Sequence, residues 1–118
     1  MSKSLLLVSR HAPCSGSTPR ELLDIALAGG AFDLPISLLF LDDGVFQLFT
    51  PNFAALEQKN LSANLQALPM FGVEQLYVAE RCLRDRGLDS TKAQPAVQCL
   101  DDAAISALYA SHDLVITL

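Results

Sequence analysis

Three cysteines, two histidines and one acidic pair carry most of the reactive chemistry available to this 118-residue chain. A thiolate becomes a useful nucleophile when nearby cations or the start of a helix lower its pKa. Cys14 lies in a loop rich in serine, glycine and proline, residues 10–17, and by sequence is the most exposed of the three thiols. Cys82 falls inside a short helical stretch, where a buried or half-buried thiol is expected. Cys99 sits in a predicted strand and reads as a small core residue. The odd number of cysteines and the lack of a CxxC pair imply no disulfide framework. His11 and His112 have no ligand-like spacing, so neither a metal nor a cofactor is assigned. Asp42-Asp43 could act as paired carboxylates or hold a cation, but no third acid or histidine is placed to complete either site. Turn formation and helix capping account for the pair. Ser9, His11 and Asp113 can be written as a triad, yet there is no nucleophile-elbow GxSxG and nothing in the spacing fixes their geometry. Neither GxGxxG nor GxxxxGK[ST] occurs, so the loop before the first helix is not a phosphate cradle.

The elements that must position these residues alternate regularly. The chain is organised around Pro35 to Phe49, PISLLFLDDGVFQLF, in which an apolar run from Ile36 to Leu41 meets a turn at Asp43-Gly44. Such a run is too short to span a membrane and suits a strand buried on both faces. Before it come a strand at Ser4 to Ser9 and a helix opened by Thr18, Pro19 and Glu21. That helix has Leu22, Leu23, Ala26 and Leu27 as its apolar face and Gly29-Gly30 as its expected end. After it, Val45 to Phe49 reads as a short helix or turn, and Leu61, Leu65 and Leu68 mark a further helix. Val73 to Ala79 is the third strand, Glu80 to Arg86 a short helix capped by Gly87, and Ala96 to Leu100 a fourth strand. Asp101-Asp102 then opens a helix with Ala104, Ile105 and Leu108 inward, and Leu114 to Leu118 is the last strand. Strands alternating with helices predict a three-layer α/β/α domain over residues 1–118, with a parallel five-stranded sheet between helices.

Composition narrows the function classes. Hydrophobic residues make up 51% of the chain and its mean hydropathy is +0.33, which is high for a domain with so much surface per unit volume. No run reaches the roughly 18 apolar residues of a spanning helix, and the N-terminus does not read as a signal peptide. A cytoplasmic subunit that oligomerises is the expectation. The net charge of −5 argues against direct binding of nucleic acid, and the cluster Arg81, Arg84 and Arg86 reads as a solvated helix face.

Two segments carry a resemblance. One is DGVFQL, Asp43 to Leu48, directly after an apolar strand; the other is Val73 to Leu88, ending in Arg86-Gly87-Leu88. Together with the opening around Ala12-Pro13 and Arg20-Glu21 and the ending His112-Asp113-Leu114-Val115-Ile116, the whole chain resembles the TusC/DsrF branch of the DsrE-like family, the small subunits of bacterial sulfur-relay complexes. The resemblance implies a DsrE-like fold and a heterohexamer built from two copies each of three related small subunits. It implies a relay of persulfide sulfur to a downstream acceptor protein, toward 2-thiolation of the tRNA wobble uridine, or in the other branch a role in sulfur oxidation. In the sulfur-carrying sibling subunit the acting cysteine stands eight residues before the glycine of the Arg-Gly pair; counted from Gly87 that position is Ala79 here. The resemblance therefore implies an accessory subunit with no catalytic cysteine of its own. Two alternatives stay open: a sulfur carrier using Cys14, and a flavodoxin-like module for a small ligand. The apolar groups after the central strand spread over more than one face of so short a helix, so a subunit interface is expected over Asp43, Val45, Phe46, Leu48 and Phe49, with Phe46 and Phe49 as anchors.

Overall fold

A computed structural model describes residues 4–10, 18–31, 35–48, 67–73, 75–89 and 97–117. Five parallel strands form one sheet: β1 (Leu5–Ser9), β2 (Ile36–Phe40), β3 (Gln75–Ala79), β4 (Gln98–Leu100) and β5 (Leu114–Thr117), in the order β4-β3-β2-β1-β5. Among the described residues three helices accompany them: α1 (Thr18–Ala31), α2 (Glu80–Asp85) and α3 (Asp102–Ala110). Two 3₁₀ segments, Asp42–Leu48 and Leu68–Phe71, complete the described elements.

The strand order decides the layers. From β1 to β2, β3 and β4 the chain steps one strand at a time in one direction; from β4 it returns across the whole sheet to β5. Right-handed crossovers then place the first three connections on one face and the last on the other. The packing agrees. Leu7, Leu38, Phe40 and Val78 point to the face where Leu22, Leu23 and Ala26 of α1 and Leu83 of α2 meet them. Leu6, Val8 and Leu39, one residue out of phase, point to the opposite face and meet Leu108 and Tyr109 of α3. Every residue of β2 is buried, as its apolar run predicted for a central strand.

Helix boundaries follow local chemistry with one departure. The Asp101 carboxylate accepts the Ala104 N–H at 2.8 Å and caps α3. Gly87, with φ +65°, stands just past α2, where a left-handed residue ends a helix cheaply. Gly29-Gly30 does not end α1, which continues to Ala31 with both glycines buried. The turn at Gly72 approaches the Gly30 carbonyl, so tertiary packing there outweighs the roughly 1 kcal/mol cost of a helical glycine. Cys99 is exposed and not a core residue, because β4 is a three-residue edge strand. Of the helix expected from Leu61, only the turn beginning at Leu68 lies among the described residues.

Candidate functional site

The loops leaving β3 and β4 diverge. After Ala79 the chain turns into α2 on one face; after Leu100 it turns into α3 on the other. Such a switch point opens a crevice at the carboxyl ends of the strands. The crevice is present, with a volume of about 320 Å³, and its walls include Arg10, Asp42, Ala79, Arg81, Cys82 and Asp102. Leu41 and Ile105 add apolar surface.

The segment after β2 is held against β1 by backbone contact. Leu41 N–H donates to the Ser9 carbonyl at 3.0 Å. Gly44 presses so closely on Ser9 that a Cβ on it would clash with that carbonyl oxygen. Gln47 is buried, and its Nε2 donates to Ser9 Oγ at 2.6 Å. These contacts hold the 3₁₀ segment Asp42–Leu48, which takes in the predicted turn at Asp43-Gly44, beside the sheet.

Asp42 is the hub of the crevice rim. Among the described residues it is the non-glycine one with positive φ, +49°, a region aspartate tolerates better than most side chains. Its N–H donates to Cys82 Sγ at 3.2 Å, and its Oδ2 accepts from Arg10 Nε at 2.7 Å. The Arg10 pKa is raised, first by that hydrogen bond and then by the Asp42 charge. Arg10, Asp42 and Cys82 thus link the ends of three neighbouring strands. Arg81 reaches Asp102 at 3.3 Å across the crevice mouth, joining α2 to α3. Arg86 donates to Asp43 Oδ1 at 3.1 and 3.2 Å and to the Cys82 carbonyl at 3.2 Å. The arginine cluster of α2 is therefore more than a solvated face: Arg86 is partly buried and ties the 3₁₀ segment to the helix.

The predicted site residues separate in space. Ala79 lines the crevice and is nearly fully buried. Cys82 is buried on the same wall with its sulfur already accepting a hydrogen bond. Cys14, His11 and Phe49 lie outside the described residues. Ser9 and Asp113 do not meet: Ser9 ends β1 against Gln47, while Asp113 accepts from the N–H and hydroxyl of Ser4 before β1 begins. That separates them by the length of the strand, roughly 15 Å. Val45 and Leu48 are packed in the chain's own core, so neither is offered to a partner; Phe46 is half-buried and Asp43 exposed. The reason is the Gly44 contact, which draws the 3₁₀ segment down onto β1 and turns two of its apolar residues inward. At the opposite end of the sheet His112 bridges the Leu108 carbonyl, at 2.8 Å from Nδ1, and Ser37 Oγ, at 2.9 Å from Nε2. It closes α3 onto β2. Among the described residues no three potential metal ligands cluster, and no helix is long and apolar enough to cross a membrane.

Sequence reasoning missed the Arg10–Asp42–Cys82 link and the Arg81–Asp102 bridge. Each residue follows a strand directly or within three positions, which was the available signal; the strand order that makes them neighbours was not.

The sequence matches the DsrE/DsrF-like family model over residues 3–118. It is 60% identical to a protein of Pseudomonas aeruginosa named "Protein TusC homolog", over 119 residues and the full length of both chains. A protein of Vibrio vulnificus with the same name is 32% identical over 102 residues, 86% of each chain. "Intracellular sulfur oxidation protein DsrF" of Allochromatium vinosum is 36% identical over 87 residues, 73% of this chain and 64% of its own. Among solved structures, the ychN protein of E. coli superposes with a TM-score of 0.76 over the whole of both chains at 17% identity, which shows the shared fold.

Proposed function

The chain belongs to the DsrE/DsrF-like family, and from that premise we propose that it is an accessory subunit of a sulfur-relay complex that passes persulfide sulfur toward 2-thiolation of the tRNA wobble uridine. The observation that carries this reading is the full-length, 60% identity to a protein named TusC homolog. The crevice supports the accessory role: the position the resemblance assigns to the sulfur carrier is Ala79, and the neighbouring Cys82 is buried and hydrogen bonded. A chain with net charge −5 leaves the tRNA itself to a downstream protein. The reading carries a cytoplasmic heterohexamer with two copies each of this chain and two related small subunits. Phe46, half-buried, and Phe49 are the residues assigned to contact with those subunits.

Co-expression with the two related subunits tests it. The three chains are expected to co-purify, and after incubation with a persulfide donor, mass spectrometry is expected to find added sulfur on a sibling chain and none on Cys14 or Cys82. Sulfur on this chain with none on a sibling would overturn the accessory role. A stable monomer that ignores both siblings would overturn the complex. The sulfur-oxidation reading rests on the weaker, partial likeness to the protein named DsrF, and a neighbouring gene for a dissimilatory sulfite reductase would favour it.

A further inference from the structure

β5 is an edge strand with the composition of an interior one. Leu114, Val115, Ile116 and Thr117 carry no charge and no proline, and the three apolar side chains are 52%, 40% and 37% exposed. The register sets Leu114 and Ile116 beside Leu5 and Leu7 on the α1 face, and Val115 beside Leu6 on the α3 face. Neither helix layer closes over them. Among the described residues β1 is the strand on one side of β5 and no strand lies on the other, so an outer row of backbone N–H and C=O groups faces away from the sheet. Natural edges are usually blunted by short length, charge or proline. The β4 edge fits that pattern, with three residues beginning at Gln98. Asp113 is the acid placed to guard β5, but its carboxylate is turned back onto the N–H and hydroxyl of Ser4, at 2.8 and 3.2 Å.

We infer that β5 pairs antiparallel with β5 of a second copy of this chain, about a two-fold axis through Val115, so that two five-stranded sheets become one. The register argues for a copy. A two-fold axis normal to the sheet keeps each face on its own side, so residues that oppose one another must share a face. Centred on Val115, the axis sets Val115 against Val115 of the partner subunit on one face. On the other it sets Leu114 against the partner subunit's Ile116, twice. This register matches each of the three exposed apolar side chains with another of the three, at the roughly 4.5–5.5 Å spacing of cross-strand pairs. Centred on Leu114, the axis would set Val115 against Asp113 of the partner subunit; centred on Ile116, against the partner subunit's Thr117. Four residues bury less than the roughly 1,200–2,000 Å² of a stable interface, so the isolated chain dimerises in a concentration-dependent way. The pairing rests on strand geometry alone and stands whether or not the chain serves a sulfur relay.

Cysteine crosslinking of the full-length chain tests it, in a parent where Cys14→Ser and Cys99→Ser remove the other candidate thiols. Opposed residues in an antiparallel pair fall within the Cα separation a disulfide spans. Oxidised glutathione is expected to convert the Val115→Cys chain to a covalent dimer. The Leu114→Cys and Ile116→Cys chains are expected to stay monomeric alone and to crosslink when mixed. Without crosslinking, Val115→Lys is expected to shift the sedimentation of the otherwise native chain from dimer to monomer with an unchanged circular dichroism spectrum. No dimer from Val115→Cys above the parent, equal crosslinking from Leu114→Cys or Ile116→Cys alone, or a dimer that survives Val115→Lys would each overturn the pairing.

Discussion

On the α1 side of the sheet, Leu7, Leu38 and Phe40 have no exposed surface and meet Leu22, Leu23, Ala26, Val45, Leu48 and Leu83. On the α3 side, Leu6, Val8 and Leu39 are buried, but the helix that covers them contributes no buried residue of its own. Both sides come from the same topology. Three crossovers step in one direction and cover one face; a single crossover returns and covers the other. The first side is a closed core. The second is a thin layer, with the switch-point crevice at one end, the His112 clamp at the other, and the apolar edge of β5 beside it. Buried apolar surface is concentrated on the first side.

Substitutions on the two sides test that contrast. Phe40→Ala, on the closed side, is expected to lose about 3–5 kcal/mol, measured by urea denaturation, because transfer and cavity costs add in a tightly packed site. A loss near 1 kcal/mol would mean the closed side is not closed. Gly44→Ala comes next. A methyl group there meets the Ser9 backbone, so the 3₁₀ segment must move, at a cost of about 1–3 kcal/mol. Crosslinking or NMR shifts at Cys82 and Asp42 should report the movement, and an unshifted spectrum with unchanged stability would refute the close approach. Leu108→Ala, on the thin side, should cost about 1 kcal/mol, since a half-buried side chain removes less area from water. A loss equal to that of Phe40→Ala would erase the difference between the faces. Asp43→Asn should be smallest, under about 1 kcal/mol and reduced further by salt, because its pair with Arg86 is mostly exposed on the aspartate side.

Much of the fold was legible because its signals are local. The apolar run of β2, the Asp101 cap and the Gly87 stop each act within a few residues, and each is found where the pattern placed it. Gly29-Gly30 was not legible as helix interior, because the packing that holds it comes from a turn some forty residues later. Cys99 looked like core because a strand pattern does not say whether its strand lies at the centre or the edge. The inward turn of Val45 and Leu48 depends on Gly44 meeting Ser9, a contact between two strand ends that sequence spacing does not measure.

The sequence by itself determined the alternation of strands and helices, the parallel sheet and the absence of a thiol at Ala79, because composition, periodicity and residue identity are properties of short windows. Only the tertiary structure decided the order β4-β3-β2-β1-β5. Among the described residues that order puts α3 alone on one face, opens the crevice between Ala79 and Asp102, joins Arg10, Asp42 and Cys82, and leaves β5 at an edge. The physical reason is that strand neighbours are chosen by the packing of whole faces against one another, and the residues that meet as a result are separated by tens of positions in the chain.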